Sequence, residues 1–335
     1  MKYKHFAAII VIASLAFACQ PAKEKERKSG GTIERLDPEL DKIITPQATV
    51  DIVAEGFTWS EGPLWVEAKN MLLFSDVPED KVYKWTEEKG AEVFLTPSGF
   101  TGEKTTSNER GANGLTFNPE GKLVLAQHGD RRIAVMNASL DSPKAIYTSI
   151  ADHFEGKRFN SPNDVVLRNN HFYFTDPAYG LGKGTEDPEK EIAFQGVYCV
   201  FPDGRVNVLV DSITRPNGIA FSPDGKYLFI ANSDPEKAKW YQYELNDSST
   251  VVSGKVFYDA TSLTSTEKGL PDGMKVDSKG NIYASGPGGV WIFNSTGKVL
   301  GKIKVEGPAS NTALSTDEKT LFITNDGNLL RVKMR

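Results

Sequence analysis

From residue 49 to its end the chain is a succession of short apolar runs, four to six residues long and rich in aromatic and β-branched types. Gly, Pro, Asn and Asp separate them, which predicts many short strands joined by turns. One unit recurs six times, a polar residue followed by a small apolar strand. It reads EGPLW at Glu61, NGLTF at Asn113, NDVVL at Asn163, NGIAF at Asn217, DGMKV at Asp272 and NTALS at Asn311. A strand repeat with a period of ~40–50 residues predicts a propeller, one repeat per blade. The hairpin NPEGK between the first two strands of the second repeat returns as SPDGK at 222–226 and as DSKGN at 277–281, which supports the repeat independently.

The strands group into blades of four. The first blade holds PLWV, MLLFSD, KVYKWT and AEVFL; the third holds DVVL, HFYFTD, GVYCVF and RVNVLV, with an insertion at 177–195 between its second and third strands. The sixth repeat ends the chain after three strands. Because sheet edges must be paired or covered, the segment 49–55 is expected to supply the missing outer strand by pairing with 329–333. The expected fold is therefore all-β, a six-bladed propeller of four-stranded blades over 49–335, closed by an N-terminal strand in the last blade.

In a propeller the first strand of each blade lines the central channel. The six lead residues then begin six inner strands at one end of that channel. Two are carboxylates and four are amides, and such a ring of oxygens suits a hard divalent cation such as calcium. Single Asn-Gly or Asp-Gly pairs read as turn signals. That reading does not account for Glu61, nor for a polar residue at the same phase in all six copies.

Composition narrows the remaining choices. The 335 residues carry 39% hydrophobic and 25% charged positions, ordinary for a globular protein. A net charge of −5 gives no nucleic-acid footprint. Residues 1–18 read as a signal peptide, with Lys2 and Lys4 before the apolar stretch Phe6 to Phe17, which is too short to span a membrane. The end LAFAC resembles a bacterial lipoprotein signal, so Cys19 is expected to carry a lipid anchor on an exported, periplasmic or outer-membrane-attached protein; ordinary secretion is the alternative. Residues 19–48 are polar and highly charged and read as a disordered tether, with room for one short helical turn in 33–47. The other cysteine, Cys199, reads as a buried core thiol, so no disulfide is available.

Six stretches in order carry a resemblance: SEGPLW (60–65), QHGDRRI (127–133), RFNSPNDVV (158–166), YFTDPAYG (173–180), RPNGIAFSPDGK (215–226) and LPDGMKVD (270–277). Together the chain resembles the senescence-marker-protein, gluconolactonase and luciferin-regenerating-enzyme family, its bacterial gluconolactonase-like members above all. The resemblance implies a six-bladed propeller with one catalytic divalent metal in the channel, calcium before zinc or magnesium. It implies Glu61, Asn217 and Asp272 as ligands, with Asn163 a further ligand or a substrate-binding residue reaching the metal through water. It also implies Asp272 as general base, or as ligand alone. Arg158 falls where the family orients substrate, or is a solvated loop charge.

Asn113 and His128 are candidates for substrate contact, His128 also for proton transfer or a structural role, and Asp176 and Tyr179 for shaping the substrate mouth. The expected function is metal-dependent hydrolysis of sugar lactones. The alternatives are the same site acting on other lactones or phosphotriesters, and a non-catalytic propeller binding a glycan or protein around a structural calcium.

Overall fold

The computed structural model describes Met1 and residues 28–335; the expected signal peptide and the expected lipid anchor at Cys19 fall outside the described residues. Among these, strands dominate, and the only helices are short 3-10 turns. The fold is all-β with four-stranded antiparallel sheets, consistent with a β-propeller.

Four of the sheets are separate. They run from Ser60–Val66 to Gly90–Leu95, Ala112–Phe117 to Tyr147–Ala151, Val165–Arg168 to Val206–Val210, and Pro216–Phe221 to Val251–Asp259. A fifth set, Met274–Val276 to Val299–Val305, and a sixth, Ala309–Leu314 to Asn328–Lys333, belong to one nine-stranded sheet. In that sheet Val50–Glu55 pairs antiparallel with Asn328–Lys333, with Val50 opposite Val332. The segment expected to complete the sixth set therefore pairs as the sequence suggested.

Burial falls from the inner strands outward. Second strands such as Met71–Asp76, Leu123–Gln127 and Tyr227–Asn232 are buried at nearly every position, because a neighbouring sheet covers each face. Their near-continuous apolar runs follow from that double burial. The outermost strand Val251–Asp259 is largely exposed. Apolar clusters fill the space between consecutive sheets, for example Leu73, Val82, Leu115 and Leu125 between the first and second. A further cluster joins the sixth to the first: Leu72, Phe74 and Trp85 pack on Ala313, Phe322 and Leu329. There Trp65 stacks on Phe322 with ring centres 5.5 Å apart.

The tether expectation is corrected from Ser29 onward. Ser29–Arg35 is a strand that pairs with Val299–Val305 on one side and Val50–Glu55 on the other, bridging the outer edges of the fifth and sixth sets. A 3-10 turn, Pro38–Lys42, follows, capped by Asp37, and Leu40 and Ile44 are fully buried. The segment looked disordered because its apolar residues are few. It is held by backbone pairing at two edges, by these two anchors, and by Arg35, which donates to Asp41 at 2.5 Å and to the Ile44 carbonyl at 3.2 Å.

Candidate active site

The glycine after four of the lead residues is not a turn signal. A Cβ on Gly218 would lie 2.2 Å from the Asp272 carbonyl oxygen, and one on Gly62 would lie 1.9 Å from that of Asn113. Neighbouring first strands approach one another so closely that only Gly fits between their backbones. In the third copy Asp164 takes this position. Its carboxylate accepts from the amides of Val165 at 2.9 Å and of Ile219 at 3.3 Å, the latter on the next sheet.

Hydroxyl groups and amides then tie three of the lead residues, and Ser310 beside Asn311, to the adjoining sheet. Ser75 Oγ donates to the Asn113 carbonyl at 2.8 Å, and Thr175 Oγ1 to that of Asn217 at 2.6 Å. Gly114 N donates to the Asn163 carbonyl at 2.7 Å, and Gly273 N to that of Ser310 at the same distance.

The side chains so positioned share one cavity of about 350 Å³. Glu61, Asn113, Asn163, Asn217, Asp272 and Tyr179 line it, six of the residues singled out in the sequence. Trp59, Glu109, Arg215 and Ser233 line it as well. His128 stands behind Asn163, fully buried, its Nε2 3.5 Å from Asn163 Nδ2. Asn311 donates to Glu61 Oε2 at 3.4 Å, and Gly62 N donates to the same oxygen at 2.9 Å.

Three expected substrate contacts are absent from this lining: His128, buried behind Asn163, Arg158 and Asp176. Arg158 donates to the Asp130 carbonyl at 3.2 Å and belongs to a small hairpin outside the cavity. Asp176 is fully buried, and its two oxygens accept from Asn160 N and Ser161 N at 2.8 Å. It holds the loop that leads to Asn163 instead of facing substrate. The cation at the cavity is Arg215, two residues before Asn217, which position alone could have flagged. Glu109 was hidden in a polar loop with no strand pattern, and Asp164 by the glycine register it replaces.

The electrostatics are those of crowded acids. Burial, and then the charge of Asp164, pushes the Glu61 carboxyl up to about 8. Burial together with Glu61 and Asp164 raises Asp272 well above the usual carboxylate range. Burial pushes Glu109 up to about 7 and holds the His128 imidazole down at about 4. Tyr179 is raised by burial and by Asp272. Among the described residues no three His, Cys, Asp or Glu side chains form a metal-holding group. The ring offers two carboxylates with amide oxygens instead. Asn113 Oδ1 and Asp272 Oδ1 are buried there with no hydrogen-bond partner. Unpaired oxygens beside two acids that repel one another fit an oxygen-seeking divalent cation.

The fold and cavity are those of a known class. Residues 59–326 match the SMP-30/Gluconolactonase/LRE-like region, and the chain belongs to that family. It is 36% identical to a gluconolactonase of Zymomonas mobilis, across 98% of this chain and 94% of that one. A pentonolactonase of Haloferax volcanii is 26% identical over 80% of the chain. Among solved structures, XC5397 of Xanthomonas campestris, described as a gluconolactonase, superposes with a TM-score of 0.77 at 28% identity, covering 92% of this chain and 97% of its own. These relatives bear out the reading of the chain as a lactone-hydrolysing enzyme.

Proposed function

We propose that this chain is a divalent-metal-dependent lactonase that opens sugar lactones to aldonic acids, on a six-bladed propeller closed between its sixth and first blades. The observation that carries the reading is the convergence of Glu61, Asn163, Asn217 and Asp272 on one 350 Å³ cavity in a chain of this family. That volume lies at the small end of ligand pockets, suited to a single sugar ring.

Glu61, Asn217 and Asp272, with Asn163, would hold the cation, calcium before zinc or magnesium. When bound, a divalent ion supplies Lewis-acid polarisation of the lactone carbonyl and a lowered pKa for an attacking water. Asp272 takes the proton of that water through Oδ1, which no other group occupies. Asn217 is oriented by its Nδ2, which donates to Ser233 Oγ at 3.0 Å and leaves its oxygen for the cavity. Asn113 and Tyr179 meet the sugar hydroxyls, and Trp59 offers the ring a flat apolar face.

The leader at 1–18 and Cys19 support export and attachment to a bacterial membrane through a lipid. The test is acid release from glucono-δ-lactone by purified protein, before and after chelation and with calcium, zinc or magnesium restored. Rate lost with chelator and recovered with one ion supports the reading. Calcium binding without hydrolysis of any lactone or phosphotriester replaces it with a binding propeller.

A further inference from the structure

Opening a lactone needs two proton transfers. The attacking water loses one, and the ring oxygen, leaving as an alkoxide, must gain one. Asp272 provides for the first and nothing in the ring of lead residues provides for the second. We propose that Glu109 is the general acid that protonates the departing ring oxygen, an inference that rests on the lactonase reading above.

Glu109 comes from the loop between the first two sheets. Its backbone is fixed, since its N–H donates to Ser107 Oγ at 3.0 Å and the flanking Gly111 N donates to the Val77 carbonyl at 2.8 Å. Its side chain lines the same cavity as Asp272. No Lys or Arg pairs with it, and its carboxyl makes no hydrogen bond among the described residues. His128 Nδ1 lies 3.9 Å from Glu109 Oε2.

That imidazole is fully buried, and its Nδ1 lacks a partner. Its Nε2 lies 3.5 Å from Asn163 Nδ2, and a neutral ring that accepts there carries its proton on Nδ1, the nitrogen nearer Glu109. The Glu109 side chain is 46% exposed; such burial as it has pushes its carboxyl up to about 7, so a proton is available there near neutral pH.

The step balances. Water oxygen bonds to the carbonyl carbon, the carbon–ring-oxygen bond breaks, and that oxygen takes the Glu109 proton. Asp272 holds the proton from water and returns it through solvent to Glu109. One water is consumed and no electron changes hands.

The test exploits the leaving group. Glu109→Gln and Glu109→Ser are assayed on glucono-δ-lactone, whose ring oxygen leaves as an alkoxide, and on dihydrocoumarin, whose oxygen leaves as a stable phenoxide. Native folding of both variants is checked by thermal melting. The expected result is a loss of ~10²–10⁴-fold in kcat on the sugar lactone, with the aryl lactone nearly unaffected. A loss of equal size on both, or no loss on the sugar lactone, overturns the assignment. A wild-type enzyme that opens neither substrate instead overturns the lactonase reading beneath it.

Discussion

Thr175 holds Asn163 and Asn217 together. Its hydroxyl donates to the Asn217 carbonyl at 2.6 Å, while its own carbonyl accepts from Asn163 N at 2.8 Å. One buried residue on the third sheet therefore fixes the backbone of both residues whose amides are proposed to hold the cation, Asn163 leading into its own sheet and Asn217 on the next. Partners of this kind are part of a metal site even though they never touch the ion.

Thr175→Val keeps the shape of this residue and removes the hydroxyl. The Asn217 carbonyl is left buried without its donor, at a cost of ~1–3 kcal/mol, readable by denaturant unfolding. Calcium affinity, measured by calorimetric titration, should fall ~10–100-fold. A variant with unchanged affinity would show that the Asn217 amide is placed by Ser233 alone.

Gly218→Ala tests whether the repeated glycine serves close approach. Its φ is not left-handed, so the whole cost comes from a Cβ 2.2 Å from the Asp272 carbonyl oxygen and 2.7 Å from Gly273 Cα. Both are backbone atoms that cannot rotate away. Overpacking of this kind costs ~1–3 kcal/mol, and here it also displaces Asp272. Gly121→Asn is the contrast: that glycine has φ +75° in an open turn, where Asn is tolerated. Melting temperatures should separate the two variants clearly.

The strands, their grouping in fours and the phase of the lead residues were legible because each rests on local pattern. A doubly covered strand must be apolar, and an oxygen wanted in the channel must fall at one position per repeat. The rest depended on information the pattern does not hold. Ser29–Arg35 pairs through its backbone with two distant edges, and its side chains hardly report it. Asp176 and Arg158 have the composition of site residues, yet their partners are backbone groups of nearby loops. Glu109 is positioned by a loop without periodicity. The Asn-Gly pairs were legible as a signal and misleading as to cause, since turn chemistry and close backbone contact select the same residue.

Asp176→Asn should change how stability responds to pH. Burial pushes this carboxyl up to about 7, against the two amide bonds that it accepts. Its folded value is thus raised above the unfolded one, near 3.8. The folded protein holds the extra proton between those values, so stability from this group is fully present below about 4. It is lost as pH rises through about 7. A displacement of that size is worth ~4 kcal/mol when fully expressed. Asn does not titrate, so the advantage of the wild type over the variant should be largest near pH 4 and shrink toward pH 8. Denaturant midpoints for both proteins across that range decide it; a constant difference would mean that the carboxylate is ionised throughout.

Glu61 and Asp272 are the two carboxylates among six lead positions, and they should fail in different ways. Glu61 Oε2 already accepts from Gly62 N and Asn311, which leaves its other oxygen for the proposed ligand role. Glu61→Gln should weaken calcium binding, and excess calcium should restore much of the rate. Asp272 Oδ1 has no partner and is the group assigned to the attacking water. Asp272→Asn preserves the shape and removes the capacity to accept a proton, so kcat should fall ~10²–10⁴-fold and stay low at saturating calcium. Initial rates against calcium concentration for both variants separate the roles. If Asp272→Asn recovers with added calcium as Glu61→Gln does, Asp272 is a ligand only, and the base must be sought among the groups that face it across the cavity.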